Sequence, residues 1–337
     1  MPFSVLFLLP VMVVHAAAPP SQPSSEKPLL ESIENPQIKR YLNQLESAQE
    51  SVGGYVQSMG EKLDGFFGSK DLEVVYKNNR LIVYTPITLY DDGSTNSSLN
   101  FRAQIDLPKT NNRWKVLISS FEGDEEEQID SMNRTEIAAS STQQTNPNDT
   151  QNAIAGRYLI SSSKNMFSHL DIGLKFINFI EPNPFIKYKT RYKKESSEKI
   201  LNRATQTLYY ERDKGFAWEG QYVFDYKHSQ SRLSRMQTTA TWWRDDAEVQ
   251  LNQRGIVFEK INPYRAHAYF VDGNWLIVND GATFSSIGLG VNMREQLYKD
   301  WLFAEVEPRV TWYETDDFKE PLYSLRVMLE MHFYKVH

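Results

Sequence analysis

From residue 80 to residue 334 apolar and polar side chains alternate with a period of two, segment after segment. In Phe101-Arg102-Ala103-Gln104-Ile105-Asp106-Leu107 every apolar residue falls on one face of an extended chain and every polar residue on the other. Leu170, Ile172, Leu174 and Phe176 alternate in the same way with His169, Asp171, Gly173 and Lys175, and Leu325 to Phe333 alternate with Arg326 to His332. A soluble β-sandwich alternates too. Three features point instead to strands that cross a bilayer. The polar faces carry dense charge, the segments run near the ~10 residues of a tilted membrane-spanning strand, and Tyr, Trp and Phe gather at segment ends like interfacial girdles. Aromatic residues make up 13% of a chain whose mean hydropathy is only -0.53. No run beyond residue 20 approaches the roughly 18 apolar residues of a spanning helix.

The expected fold class is all-β, a transmembrane antiparallel β-barrel over 80–334, preceded by an N-terminal amphipathic helix. Fourteen segments can be counted, an even number as single-chain bacterial barrels have. Weak periodicity in 156–162, 202–211 and 246–258 leaves twelve as the alternative. With both termini periplasmic, the even-numbered connections are expected to be short turns, and the long ones, 121–155 and 272–285, to lie on the outer side.

Residues 1–16 read as a secretory signal peptide, because Phe3 to Val14 are almost wholly apolar and small residues follow. Residues 17–36, rich in Pro, Ser and Glu, read as a disordered linker. Over 37–68 apolar residues recur at spacings of three and four, which predicts a periplasmic or plug helix ending near Gly68. Leu45, Val52, Met59 and Leu63 lie on one stripe of it and are expected to be its packing surface. Its partner is the barrel mouth, the lumen, or a second copy of itself.

The chain contains no cysteine, which excludes disulfides, thiol nucleophiles and Cys-ligated metals. Its six histidines show no metal spacing, so no cofactor is expected. A net charge of -6 gives no case for nucleic-acid binding. Hydrolytic barrels that pair His and Ser two positions apart on one strand have no counterpart here: His169 is followed by Asp171, His228 by Gln230 and His267 by Tyr269. Asp91-Asp92, Asp245-Asp246 and Asp316-Asp317 read as solvated turn acids. The reading is therefore non-enzymatic. An acidic run, Glu122 and Asp124 to Glu127, reads as a solvated outer loop able to meet cations near lipopolysaccharide.

The polar face of the barrel carries the functional expectation. Inward positions assigned by the alternation hold more bases than acids. Lys187, Lys189, Arg191 and Lys193 form the strongest local feature, a basic row on one face of one strand. In an open lumen this row would line a path for small anions. In a filled one it would be neutralised by Glu305, Glu307, Glu219 and Asp225. The leading expectation is a channel or transporter for small solutes, anions among them; the alternative is a non-conducting scaffold that serves envelope assembly or binds a partner through its helix. The final strand ends in Phe333-Tyr334 and looks like the C-terminal signal that engages the barrel-assembly machinery. Outer-membrane lipid and lipopolysaccharide are the other expected partners.

Three stretches, Leu63-Asp64-Gly65-Phe66-Phe67-Gly68, Asp106-Leu107-Pro108-Lys109-Thr110 and Tyr298-Lys299-Asp300-Trp301-Leu302-Phe303, carry a resemblance. From about residue 30 onward the chain resembles a family of uncharacterised proteobacterial outer-membrane proteins with a signal peptide, an amphipathic segment and a C-terminal barrel. The resemblance implies that location and fold, and no activity.

Overall fold

A computed structural model describes residues 27–67, 79–110, 113–120, 152–177, 181–244, 248–278 and 281–335. The expected signal peptide, the acidic outer run and Asp245-Asp246 lie outside the described residues. A helix, α1 (Pro36–Phe67), precedes the strands. These are β1 (Arg80–Tyr90), β2 (Thr95–Ser97), β3 (Asn100–Leu107), β4 (Trp114–Ser119), β5 (Asn152–Ser162), β6 (Met166–Ile177), β7 (Glu181–Ser197), β8 (Ile200–Glu211), β9 (Gly215–Lys227), β10 (Arg232–Trp243), β11 (Glu248–Asn262), β12 (Arg265–Val278), β13 (Gly281–Tyr298), β14 (Leu302–Tyr313) and β15 (Pro321–Phe333). From β3 to β15 each strand pairs antiparallel with the next, β1 pairs antiparallel with both β2 and β3, and β15 returns to pair with β1 from Leu81↔Phe333 to Tyr90↔Ser324. The short β2 continues β3 beyond Ser98-Leu99 and shares β1 with it, so the closed ring is a 14-strand antiparallel barrel.

The three weakly periodic segments all form strands, and their outward faces show why the alternation blurs. On β8 the outward residues include Asn202 and Gln206, where an aliphatic residue is expected. The Tyr222 hydroxyl donates to Asn202 Oδ1 at 2.6 Å and Trp218 Nε1 to Gln206 Oε1 at 2.7 Å, so aromatic neighbours on β9 satisfy these polar groups. On β5 the outward Gly156 lies under the ring of Trp114. One loop expectation fails. Residues 272–285 are no long connection, because β12 runs to Val278 and β13 begins at Gly281. Asn274 and Trp275, which broke the pattern, sit at a register shift inside the ladder.

Outward positions of the described strands carry charge only at Lys194, Arg232, Glu259, Arg265 and Glu295, all near the rim that α1 meets and where β15 ends. Two pairs of them neutralise each other across strands: Arg232 with Glu259 at 2.5 Å and Arg265 with Glu295 at 2.8 Å. Between that rim and the opposite one, Ile87, Ile154, Ile172, Leu174, Leu208, Leu289, Val327 and Leu329 are large apolar side chains on the outside of the ring. Burial of such a belt needs lipid, since a soluble protein turns its apolar face to a core.

The helix meets the ring at its closing seam, against β1, β3 and β15. Its most buried face is offset from the stripe Leu45, Val52, Met59, of which Val52 and Met59 are half-buried. Leu45 is 38% exposed, and Tyr41 and Tyr55, next to the stripe, are each 66% exposed. Leu63 lies outside the described side chains. Leu42, Gln49, Gly53, Val56 and Gln57 are buried instead, a face turned by roughly 80° at 100° per residue. The reason lies in the surface it meets. The rim of a barrel presents strand-end carbonyls and turn groups, which call for donors and small residues rather than aliphatics.

Gln49 Nε2 donates to the carbonyls of His332 at 3.4 Å and Tyr334 at 3.1 Å. Glu46 accepts from the Tyr298 hydroxyl at 3.2 Å and from the Lys299 ammonium, which this contact holds above its usual pKa. Glu31 accepts from the Lys299 backbone N–H at 3.0 Å. Gly53 passes so close that a Cβ there would lie 2.5 Å from the Tyr334 carbonyl oxygen. Gly53→Val should therefore unseat α1 without opening the ring. Limited proteolysis should cut within 37–67 at least several-fold faster, while the heat-modifiable gel shift of the barrel persists. Equal cleavage rates would show that the clasp is not tight.

Candidate functional site: the lumen wall

The pleat turns odd-numbered residues of β5 to β10 and even-numbered residues of β11 to β13 and β15 into the ring. Nearly every ionisable group of the strands lies on this side, and the register decides which of them meet.

On β7 the basic row Lys187, Lys189, Arg191 and Lys193 faces inward, while Ile186, Tyr188 and Tyr192 face out. Across the ladder Lys187 stands opposite Asp171 on β6 and Tyr209 on β8, Lys189 opposite His169 and Thr207, Arg191 opposite Phe167 and Thr205, and Lys193 opposite Arg203. Asp171 is already engaged. Arg157 on β5 grips it with two bonds of 2.8 Å, and His169, fully buried, stands 3.6 Å from it. The Arg191 guanidinium lies 5.6 Å from the Phe167 ring centroid, and Lys193 pairs with Glu195 at 3.5 Å.

The acids expected to neutralise this row are inward, and three of them are held by other bases. Asp225 is shared by Arg203 at 3.1 Å and Arg235 at 2.7 Å. Glu307 binds Arg326 at 2.7 Å and accepts from Asn292 at 3.0 Å. Glu305, 1% exposed, pairs with Arg294 and accepts from Asn292 at 3.1 Å. Glu219 faces inward on β9, opposite Thr207, and has an interaction partner of its own. The structure thus brings Glu305 and Glu307 together, and places Asp225 in a separate cluster.

Register also assembles clusters that the alternation alone does not reveal. Arg294 bridges Glu305 and Glu330, the latter at 2.7 Å, and His332 Nε2 lies 2.5 Å from Glu330. Arg309 reaches Asp272 at 2.8 Å; a Cβ on the inward Gly288 would lie 2.6 Å from that guanidinium, so glycine makes room for the pair. Near the rim away from α1, Lys175 binds Glu211 at 2.8 Å, and Glu211 accepts further from Asn183 at 2.6 Å and the Tyr209 hydroxyl at 2.7 Å. Asp171, Glu211, Asp225, Glu305, Glu307 and Glu330 each accept from more than one donor or from a bidentate arginine, as charge held out of bulk water requires, whereas Asp272, among the described residues, takes one bond from Arg309 and keeps its other oxygen buried without one. Among the described residues no group of three His, Asp or Glu is placed to hold a metal ion.

Phe333 pairs with Leu81 at the closing ladder and is nearly buried. The Tyr334 hydroxyl donates to the Asp300 carbonyl at 3.4 Å, and burial pushes its phenol well above the usual pKa.

A closed ring with an apolar exterior, a charged interior and a clasping helix is a transmembrane β-barrel of the outer-membrane type. Solved structures of that type are similar to it. An outer-membrane protein of Vibrio cholerae, OmpT with loop L8 deleted, matches at 8% identity and a TM-score of 0.45, over 76% of this chain and 98% of that one. The outer membrane channel DcaP of Acinetobacter baumannii matches at 11% identity and 0.44, over 76% and 96%. A KdgM porin matches at 6% identity and 0.37, over 76% and 99%. At these scores the likeness assigns no activity. No family model matches the chain, and no curated protein matches its sequence.

The buried Arg157–Asp171 pair gives a test of the wall. Asp171→Ala strands a buried guanidinium and should lower barrel stability by about 3–5 kcal/mol. The unfolding midpoint in urea, followed by tryptophan fluorescence in detergent, should fall accordingly. A midpoint that does not move would mean that water already solvates the pair.

Proposed function

We propose that this protein is a Gram-negative outer-membrane barrel that passes small anionic solutes through its lumen, with both termini in the periplasm. The observation that carries this reading is the inward row Lys187, Lys189, Arg191 and Lys193, set in a wall where Asp225, Glu305 and Glu307 are committed to arginines elsewhere. A wall with more bases than acids holds a positive potential, and that potential concentrates anions at the path. Solute transfer of this kind needs no nucleophile, and the reading is non-enzymatic. Phe333 and Tyr334 serve as the signal to the barrel-assembly machinery, and the apolar belt meets outer-membrane lipid and lipopolysaccharide.

A scaffold role is the second reading. Tyr41, Leu45 and Tyr55 favour it, because they leave an apolar stripe of α1 uncovered by the ring. A periplasmic partner or a second copy would cover that stripe, and the lumen would then be closed.

Planar-bilayer recordings separate the two. The conduit reading predicts steady conductance with a reversal potential that favours chloride over potassium. Lys187→Glu combined with Lys189→Glu should move the reversal potential toward potassium by more than 10 mV in a tenfold KCl gradient, roughly a sixth of the 59 mV per decade of an ideally selective path. Absence of conductance would favour the scaffold. Conductance with selectivity indifferent to both lysines would remove the row from the pathway.

A further inference from the structure

Half-exposed aromatic rings stand on the inward face at the end of the ring away from α1, where β7 begins and β8 and β10 finish. Phe185 lies 5.8 Å from Tyr209, and Tyr209 meets Trp243 edge-on at 5.7 Å. Two ammonium groups attend them: Lys175 stands 4.8 Å from the Tyr209 centroid and Lys214, exposed on the β8–β9 turn, 5.7 Å from that of Trp243. The members differ in kind. Tyr209 is buried, and its hydroxyl and Lys175 are both spent on Glu211, so these two belong to the wall. Phe185 and Trp243 are only half-buried, and Phe185 stands between the inward Asn183 and Lys187 and opposite Glu211, so its immediate neighbours on that face are charged or hydrogen-bonding. Large apolar rings turned to water inside a polar lumen are unfavourable unless something flat covers them. One position further along β7 on the same face, the basic row begins at Lys187, opposite Tyr209.

We propose that this end of the lumen is a binding step for organic anions that carry a flat ring, of the aromatic-carboxylate class. The ring lies against Trp243 and Phe185, Lys214 leaves the indole to meet the carboxylate, and the charge then passes to Lys187. The inference rests on the conduit reading above and narrows its substrate. Chloride or acetate would use the basic row alone. A ring-bearing anion would be retained at the aromatic step, and its retention reads out as an interruption of the small-ion current.

The test uses the full-length protein in planar bilayers carrying chloride current, with benzoate and cyclohexanecarboxylate as blockers. The two match in charge and ring size, and only benzoate is flat and aromatic. Benzoate should interrupt the current at about fivefold lower concentration, the scale of one ring–ring contact. Trp243→Leu should erase that preference, and Phe185→Leu should reduce it should the first variant not assemble. Trp218→Leu, whose ring faces lipid, should keep it. Equal block by the two acids, or a preference that survives both substitutions, overturns the proposal and leaves the conduit standing. Absence of any current removes the conduit instead. Quenching of tryptophan fluorescence by benzoate in detergent then decides the aromatic step: loss in Trp243→Leu but not Trp218→Leu supports it, and equal quenching in both overturns it.

Discussion

Inside a bilayer no water is available to a strand edge, so every backbone N–H and C=O must find its partner in the sheet. The pairing of β1 with β15 meets that demand, because it leaves the fourteen-strand ring without an edge. Once the ring closes, the pleat leaves each side chain two choices. Facing lipid, it must be apolar or have its polar atoms satisfied on the surface, as Gln206 is by Trp218. Facing inward, it may be charged, provided its neighbours across the ladder complement it. The arginines that clasp Asp171, Asp225 and Asp272 follow from closure rather than from any local motif.

The seam is also where the N-terminal helix settles. The chain leaves β15 at the rim, and there Gln49 donates to the carbonyls of His332 and Tyr334. The turn between β13 and β14 offers Lys299, and Glu31 and Glu46 receive it. First and last parts of the chain are thus tied to each other by polar contacts at the place where the ring joins. The helix spans about 48 Å at 1.5 Å per residue, against a ring roughly 28 Å across for fourteen strands at 4.8 Å spacing and a 40° tilt. The clasp uses residues 42–57, about half of its length, and Leu45 is turned away from it.

The barrel and its strand number were legible in the sequence because a period of two is a direct image of the pleat. The inward direction of Lys187 to Lys193 was legible for the same reason. Partners were not. Which acid meets which base depends on register, and the ladder shifts by a residue at Leu159/Ser161, Glu195/Ser197, Lys260/Asn262, Asn274/Trp275 and Gln296/Tyr298. Glu305 and Glu307 therefore sit with Arg294 and Arg326, and not with the β7 row. The helix misled in the opposite way. Its apolar periodicity was real, yet a barrel rim is polar, so Gln49 and Gly53 dock while Leu45 does not. A polar residue four positions from a glycine, facing a strand end, was the available signal.

Because the chain has no native cysteine, single cysteines report on their own positions without background. The most direct test places them one at a time from 185 to 193 along β7 and measures reaction with a charged, water-soluble thiol reagent in reconstituted vesicles. Odd positions, Lys187 and Lys189 among them, should label, and even positions such as Ile186 and Tyr188 should resist the reagent and be quenched by lipid-borne spin labels. Uniform labelling along the strand, or the opposite phase, would contradict a closed barrel with its charged face inside.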